Sequence, residues 1–226
     1  MKIGIIFAMK EELDALLNVL TLVKEYSIFD LTFYECKLDN KEIVLVESGI
    51  GKVNSARTTQ ILIDNMKVDY IFNIGVAGGI SEKVSVCDIV IGDKLVQHDF
   101  DITPFDHEKG YIPNIGIYLN SDEYLINLAK DIKTDSNVYV GTIASGDIFV
   151  NDSKMSSKIN SKFNALCCEM EGASIAQVCY LSHIPFLVIR SISDSVNGNN
   201  ELTYNDFLLL SSKMVAKFMI ELLNKI

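Results

Sequence analysis

The chain has 226 residues, 49% of them apolar, a formal net charge of −10 and only three prolines. That length suits one large α/β domain with a sizeable core, and no linker, repeat or low-complexity stretch divides it. The acidic balance excludes the basic surface that nucleic acid or an anionic membrane needs, and no apolar run is long enough to span a bilayer.

Residues 2–7 are a β-branched run that reads as a first strand. One positive charge precedes it, and Lys10-Glu11-Glu12 follows with no small-residue cleavage site, so it is not read as a signal peptide. Leu13, Leu16, Leu17 and Leu20 then fall at helical spacing, with Glu11 and Glu12 in the first turn. Residues 31–37 and 42–48 predict a hairpin around Asp39-Asn40. Gly49-Ile50-Gly51 is a turn into a second helix from Val53 to Met66. Tyr70 to Val76 is a strand, closed by a turn at Ala77-Gly78-Gly79.

Asp88 to Asp101 has strand character, and 102–116 is an irregular loop carrying Pro104, Gly110, Pro113 and Gly116. A helix over 121–132 and a strand over 137–144 follow, ending in Ser145-Gly146-Asp147, with a short helix after Asn151-Asp152. Ala165 to Cys168 is a brief strand that leads through Glu169-Met170-Glu171-Gly172 into a helix with Ile175, Val178 and Cys179 on one face. The apolar run 184–192 is a buried strand of a mostly parallel sheet, and a loop at Asn197–Asn200 precedes the last helix. Thr203 is placed to cap that helix with Asp206 in support, and Phe207, Met214, Val215, Phe218 and Leu222 form its buried stripe. Strands and helices alternate around an extra hairpin. The fold expected is α/β: a single domain over 1–226, with a central mixed β-sheet flanked by helices in three α/β/α layers.

Five cysteines, an odd number without a C-x-x-C, read as buried thiols of a reducing cytosol; Cys167 and Cys168 point to opposite faces of a strand. His98, His107 and His183 are too scattered for a zinc site, so no metal is expected. Carboxylates recur at strand-to-helix junctions, at Glu12, Glu171 and Asp194, and in a parallel sheet such junctions share one edge. Each has a plainer reading. Glu12 can simply complement a helix dipole, and Asp194 can be a turn residue or an ion pair with Arg190, four residues earlier. Phe149 can be ordinary core. Glu169 reads as structural, Asp147 as a residue that ties down its turn, and Asp99 and Asp101 as surface or loop-anchoring charges with no assigned chemistry.

Six stretches in order carry a resemblance that covers nearly the whole chain. They are Lys2-Ile3-Gly4-Ile5-Ile6 through Ala8-Met9 to Glu11-Glu12; Ser48-Gly49-Ile50-Gly51-Lys52-Val53; Asn73-x-Gly75-x-Ala77-Gly78-Gly79; Ser145-Gly146-Asp147-x-Phe149; Glu169-Met170-Glu171; and Arg190-x-Ile192-Ser193-Asp194. Together they resemble the methylthioadenosine/S-adenosylhomocysteine nucleosidases of the nucleoside phosphorylase-like superfamily. The resemblance implies hydrolysis of the N-glycosidic bond of an adenine thionucleoside, with no cofactor. Asp194 would be the acid that protonates adenine N7, and Glu12 the base for the attacking water. Glu171 would accept from the ribose hydroxyls and Met170 would pack on the sugar. Arg190 would orient the water and the carboxylates around it. Phe149 would stack on adenine, the Val150 backbone would read its Watson–Crick edge, and Tyr204 would line the site. Val76, Ala77 and Gly78 would border the substrate. Ile50 would wall the 5′-alkylthio pocket, and Ile102, Phe105 and Pro113 would complete it from a second subunit of a homodimer.

Two positions depart from the family pattern. Val76 stands where many relatives carry Ser, and Phe7 where Gly is frequent. Phe7 either crowds the site floor or points into the core. Three rival functions stay open: a phosphorolytic enzyme, a nucleosidase acting on futalosine or a plain nucleoside, and a non-catalytic nucleoside sensor. Phosphate needs positive charge, whereas Lys10-Glu11-Glu12 offers two carboxylates, so hydrolysis is preferred.

Overall fold

A computed structural model describes residues 1–195 and 204–226. The strands are β1 (Lys2–Phe7), β2 (Thr21–Ile28), β3 (Leu31–Leu38), β4 (Lys41–Glu47), β5 (Tyr70–Gly79), β6 (Ile89–Gln97), β7 (Leu119–Asn120), β8 (Val138–Ser145), β9 (Ala165–Glu169) and β10 (Phe186–Ser195). The helices are α1 (Lys10–Leu17), α2 (Lys52–Ile61), α3 (Glu123–Lys130), α4 (Ser153–Phe163), α5 (Gly172–Ser182) and α6 (Tyr204–Lys225).

The ten strands among the described residues form one mixed sheet. β1 lies between β4 and β5, parallel to both, and β4, β3 and β2 continue outward as an antiparallel meander. β5 also pairs with β10 in parallel, and its last residues, Gly78 and Gly79, pair with Cys168 and Cys167 of β9. Since β10 pairs β6, β6 pairs β8 and β8 pairs β9, the strands β5, β10, β6, β8 and β9 close into a ring. Helices cover both faces. One apolar cluster joins the sheet to α1, α3 and α6 through Leu13, Leu125 and Phe218; another joins it to α2 and α5 through Ile61, Ile175 and Cys179. The expected three-layer α/β/α arrangement with a central mixed sheet is present.

Several local expectations shift. Ala77-Gly78-Gly79 is no turn: it is the end of β5, extended because β9 and β10 both pair with it. A Cβ at Gly79 would sit 3.2 Å from both Ile192 and Val84, so small residues are needed where strands converge. β2 carries no alternating apolar signal because it is the sheet edge, with Leu22 and Val23 exposed. It claims the chain after Leu20, so α1 stops at Leu17. The second helix changes to a π-helical turn over Leu62–Met66 and ends at Lys67, whose φ is 54°. β6 ends at Gln97, short of Asp101, and the helix expected from 121 starts at Glu123 with Asp122 as its cap. Within 102–116 there is a 3-10 turn at Thr103–Phe105 and a single bridge from Ile112 to Gly116. β10 runs on to Ser195, so Arg190 and Asp194 both lie inside the strand. The Asn197–Asn200 loop, the Thr203 cap and the side chains of Asp206 and Phe207 lie outside the described residues. All five cysteines are free, and Cys167 and Cys168 join different apolar clusters. Among the described residues no helix is long and apolar enough to cross a membrane.

Candidate active site

Glu12, Glu171 and Asp194 line one cleft, formed where β1, β5, β9 and β10 end. The described residues enclose 110 Å³ there. That is below the roughly 300–1,000 Å³ usual for ligand pockets. The apolar lining of the cleft includes Ala8, Met9, Ile50, Ile148, Phe149, Val150 and Met170.

Glu12 sits at the third position of α1, where a capping-box glutamate reaches back to the chain before the helix. Its Oε2 accepts from the Ala8 and Met9 amides at 3.0 and 3.1 Å, and its Oε1 accepts from the Val76 amide at 3.0 Å. An ionised carboxylate has about four lone-pair sites, so about one is left for a water. The side chain is buried, and burial raises its pKa even though Arg190 and the three amides pull the other way. A carboxylate moved towards neutrality suits a general base. The glutamate therefore does cap its helix, and the cap aims its carboxylate across β1 to β5. Gly75 makes room for it: a Cβ there would lie 2.5 Å from Oε1.

Glu171 occupies the cap position of α5 and is also buried. Its Oε1 accepts from the Gly51 amide at 2.8 Å. Burial first, then the neighbouring Glu169 charge, push its carboxyl up to about 7, with Arg190 and the Gly51 amide opposing. Such a group accepts hydroxyl donors in place of the water it has lost.

Asp194 follows a bulge in β10, where the register against β5 slips between Ile192 and Asp194. Bulges re-aim side chains next to active sites. Asp194 is half-buried, accepts from the Ser193 hydroxyl at 2.7 Å, and faces Gly78, where a Cβ would stand 3.4 Å from Oδ2.

Arg190 belongs elsewhere. Its side chain is 1% exposed, lies beneath the cleft rather than in its wall, and does not pair with Asp194. The guanidinium bonds Glu169 and the side chain and carbonyl of Asn73. Burial works against its charge, but Glu169, Glu171 and Glu12 outweigh that, and its pKa is raised. Glu169 is consumed structurally as expected: it accepts from the Glu171 and Gly172 amides at 3.0 and 2.7 Å and pairs with Ser145 and Arg190. Arg190 is thus a buried cation that bonds Glu169 and acts on Glu171 and Glu12 through its charge.

The remaining expected residues divide. Met170, Phe149, Val150, Ile50, Val76, Ala77 and Gly78 all line the cleft. Phe149 is 61% and Ile50 53% exposed, so the apolar wall stands open to solvent. Val76 reaches Glu12 through its amide, a contact that needs no hydroxyl. Phe7 is fully buried against the α1 and α6 face, so it fills the core and does not crowd the cleft. Ile102, Phe105 and Pro113 lie outside the cleft, and Phe105 is 76% exposed. The side chain of Tyr204 lies outside the described residues. Sequence reasoning missed Ser193, Met9 and Cys168 in the wall and Asn73 as the partner of Arg190. Met9, Asn73 and Ser193 stand inside the motifs that carry the resemblance, which was the available signal.

A family model described as the phosphorylase superfamily matches residues 2–225. A 5′-methylthioadenosine/S-adenosylhomocysteine nucleosidase of Exiguobacterium sp. is 41% identical over 223 residues, covering 97% of this chain and 96% of the relative. Among solved structures, the S. pneumoniae enzyme of that name, with a transition-state inhibitor, superposes with a TM-score of 0.93 at 38% identity, covering 100% of this chain and 99% of the other. The futalosine hydrolase of Helicobacter pylori superposes with a TM-score of 0.94 at 35% identity, covering 100% of this chain and 98% of the other. With its full-length match, its mixed sheet and its carboxylate-lined cleft, the chain belongs to the 5′-methylthioadenosine/S-adenosylhomocysteine nucleosidase family of the phosphorylase superfamily.

Proposed function

We propose that this chain hydrolyses the N-glycosidic bond of 5′-methylthioadenosine and S-adenosylhomocysteine, and also of 5′-deoxyadenosine, releasing adenine and the 5-substituted ribose. The observation that carries the reading is the cleft itself. A buried carboxylate pinned by three amides (Glu12) shares it with a carboxylate beside a strand bulge (Asp194) and with an apolar wall that includes Phe149. Glu12 takes a proton from water as its oxygen bonds C1′. The C1′–N9 bond breaks towards the base, and Asp194 gives a proton to N7, so adenine leaves neutral. Glu171 accepts from the ribose hydroxyls, Met170 packs on the sugar, Phe149 stacks on adenine and the Val150 backbone reads its edge. Arg190 acts through the carboxylates above it.

The open wall at Ile50 and Phe149, together with the exposed Phe105, supports a homodimer in which Ile102, Phe105 and Pro113 of the second copy close the 5′ pocket. The whole of 1–226 acts as one nucleosidase domain in the cytoplasm, a reading that the five unpaired cysteines support. The likeness to a futalosine hydrolase favours one second reading, a nucleosidase acting on 6-amino-futalosine. Adenine release from methylthioadenosine, S-adenosylhomocysteine, 5′-deoxyadenosine, 6-amino-futalosine and inosine, measured with and without phosphate, decides between them. Turnover of the thionucleosides without phosphate is expected. Strict dependence on phosphate, or binding without adenine release, would refute the reading.

A further inference from the structure

Helix α2 opens with a carboxylate on each of two successive amides. The Gly51 amide donates to Glu171 Oε1 and the Lys52 amide to Asp147 Oδ1, both at 2.8 Å. Gly51 has a φ of 102°, and a Cβ there would lie 3.2 Å from Asp147 Oδ1, so glycine suits this junction. Glu171 lines the cleft, whereas Asp147 does not but directly precedes residues that do, those of the adenine wall at 148–150.

A second tie runs beside the first. Asp99 Oδ2 accepts from the Asp147 amide at 2.9 Å, and Asp99 Oδ1 accepts from Lys52 Nζ at 2.7 Å. Lys52 Nζ also donates to Gln97 Oε1 at 3.2 Å. The Lys52 and Asp99 side chains are 17% and 15% exposed, so the pair is partly desolvated and is worth more than an open surface pair. Asp99 follows the end of β6, whose Gln97 is in register with Ser145 of β8, just before the wall begins. Neither Lys52 nor Asp99 lines the cleft.

We propose that Lys52 and Asp99 are positioning residues that hold the adenine wall at 148–150 in its binding position against α2, while Glu171 on the sugar side is held separately by the Gly51 amide. The proposal rests on the nucleosidase reading above. Loosening the wall removes binding that ground state and transition state share, which raises KM and leaves kcat alone.

The test uses Lys52→Met, which keeps the backbone amide and removes Nζ, and Asp99→Asn, which keeps the size and removes the charge. Each is expected to raise KM for methylthioadenosine about 10-fold with kcat within about 2-fold. Competitive inhibition by free adenine should weaken by the same factor, and inhibition by 5-methylthioribose should stay unchanged. The double variant should be no worse than either single one, because both break the same tie. A fall in kcat at constant KM, an equal weakening of both inhibitors, or a lowered melting temperature with adenine inhibition unchanged would each overturn the proposal. Absence of adenine release by the unaltered protein would instead overturn the functional reading.

Discussion

Replacing Arg190 by Met tests the view that one buried cation holds the carboxylates of the cleft in place. Arg190 is 1% exposed, and the side chain of its partner Glu169 is 3% exposed. Methionine fills a similar volume but leaves Glu169 as a buried charge without its cation. Breaking a buried pair in this way costs about 3–5 kcal/mol. A chain of this size loses about 2–4 °C of melting temperature per kcal/mol, so a fall of roughly 6–20 °C is expected. Removing Glu169's charge as well, in Arg190→Met/Glu169→Gln, should restore most of the loss. A second effect follows on catalysis. Arg190 is the largest influence holding the Glu12 pKa down against burial, so without it that pKa rises further. A general base works only when ionised, so the acid limb of kcat/KM should move to higher pH. Thermal unfolding and a pH–rate profile for adenine release measure both. A variant within about 1 kcal/mol of the parent, with its acid limb in place, would refute the reasoning.

Gly75→Ala should displace Glu12, since the new Cβ would stand 2.5 Å from an oxygen fixed by three amides; kcat should fall at least about 10²-fold, the low end for general base catalysis, with folding retained by circular dichroism. Asp194→Asn removes the proposed proton donor and should cut turnover at least about 10²-fold while methylthioadenosine still binds by calorimetry. Phe7→Ala should cost about 3–5 kcal/mol in denaturant unfolding without any gain in turnover, because the ring fills the core and not the cleft. The Glu171 carboxyl is raised from its ordinary 4.5 to about 7, so the folded chain holds that proton more tightly than the unfolded chain. Its contribution to stability is therefore fully present below pH 4.5 and is lost as pH rises through 7. At about 1.4 kcal/mol per tenfold change in proton affinity, the loss is at most about 3 kcal/mol. Glu171→Gln should flatten that part of the stability profile, and an unchanged slope would count against the buried, raised carboxyl.

Much of this protein is legible in its residues because the signals are local. Apolar runs such as 184–192, helical spacing such as Leu13 and Leu16, and the acid at Asp152 before α4 fix element type within a few neighbours. The ordered motifs also single out Glu12, Glu171 and Asp194, and the sheet brings all three to one cleft, although Asp194 lies inside β10 and not at a junction. What the sequence leaves open depends on partners far along the chain. Ala77-Gly78-Gly79 has the composition of a turn, and only pairing with β9 and β10 keeps it extended. Arg190 stands four residues from Asp194, and spacing alone invites that ion pair. The folded chain instead gives it Glu169 and Asn73, 21 and 117 residues away, because a guanidinium buried to 1% exposure must find a charge within reach. Glu12 likewise reads as a helix-dipole glutamate until the Val76 amide, 64 residues on, turns a local cap into a carboxylate aimed into the cleft. Local periodicity sets which elements form; the closing of the strand ring sets which charges meet.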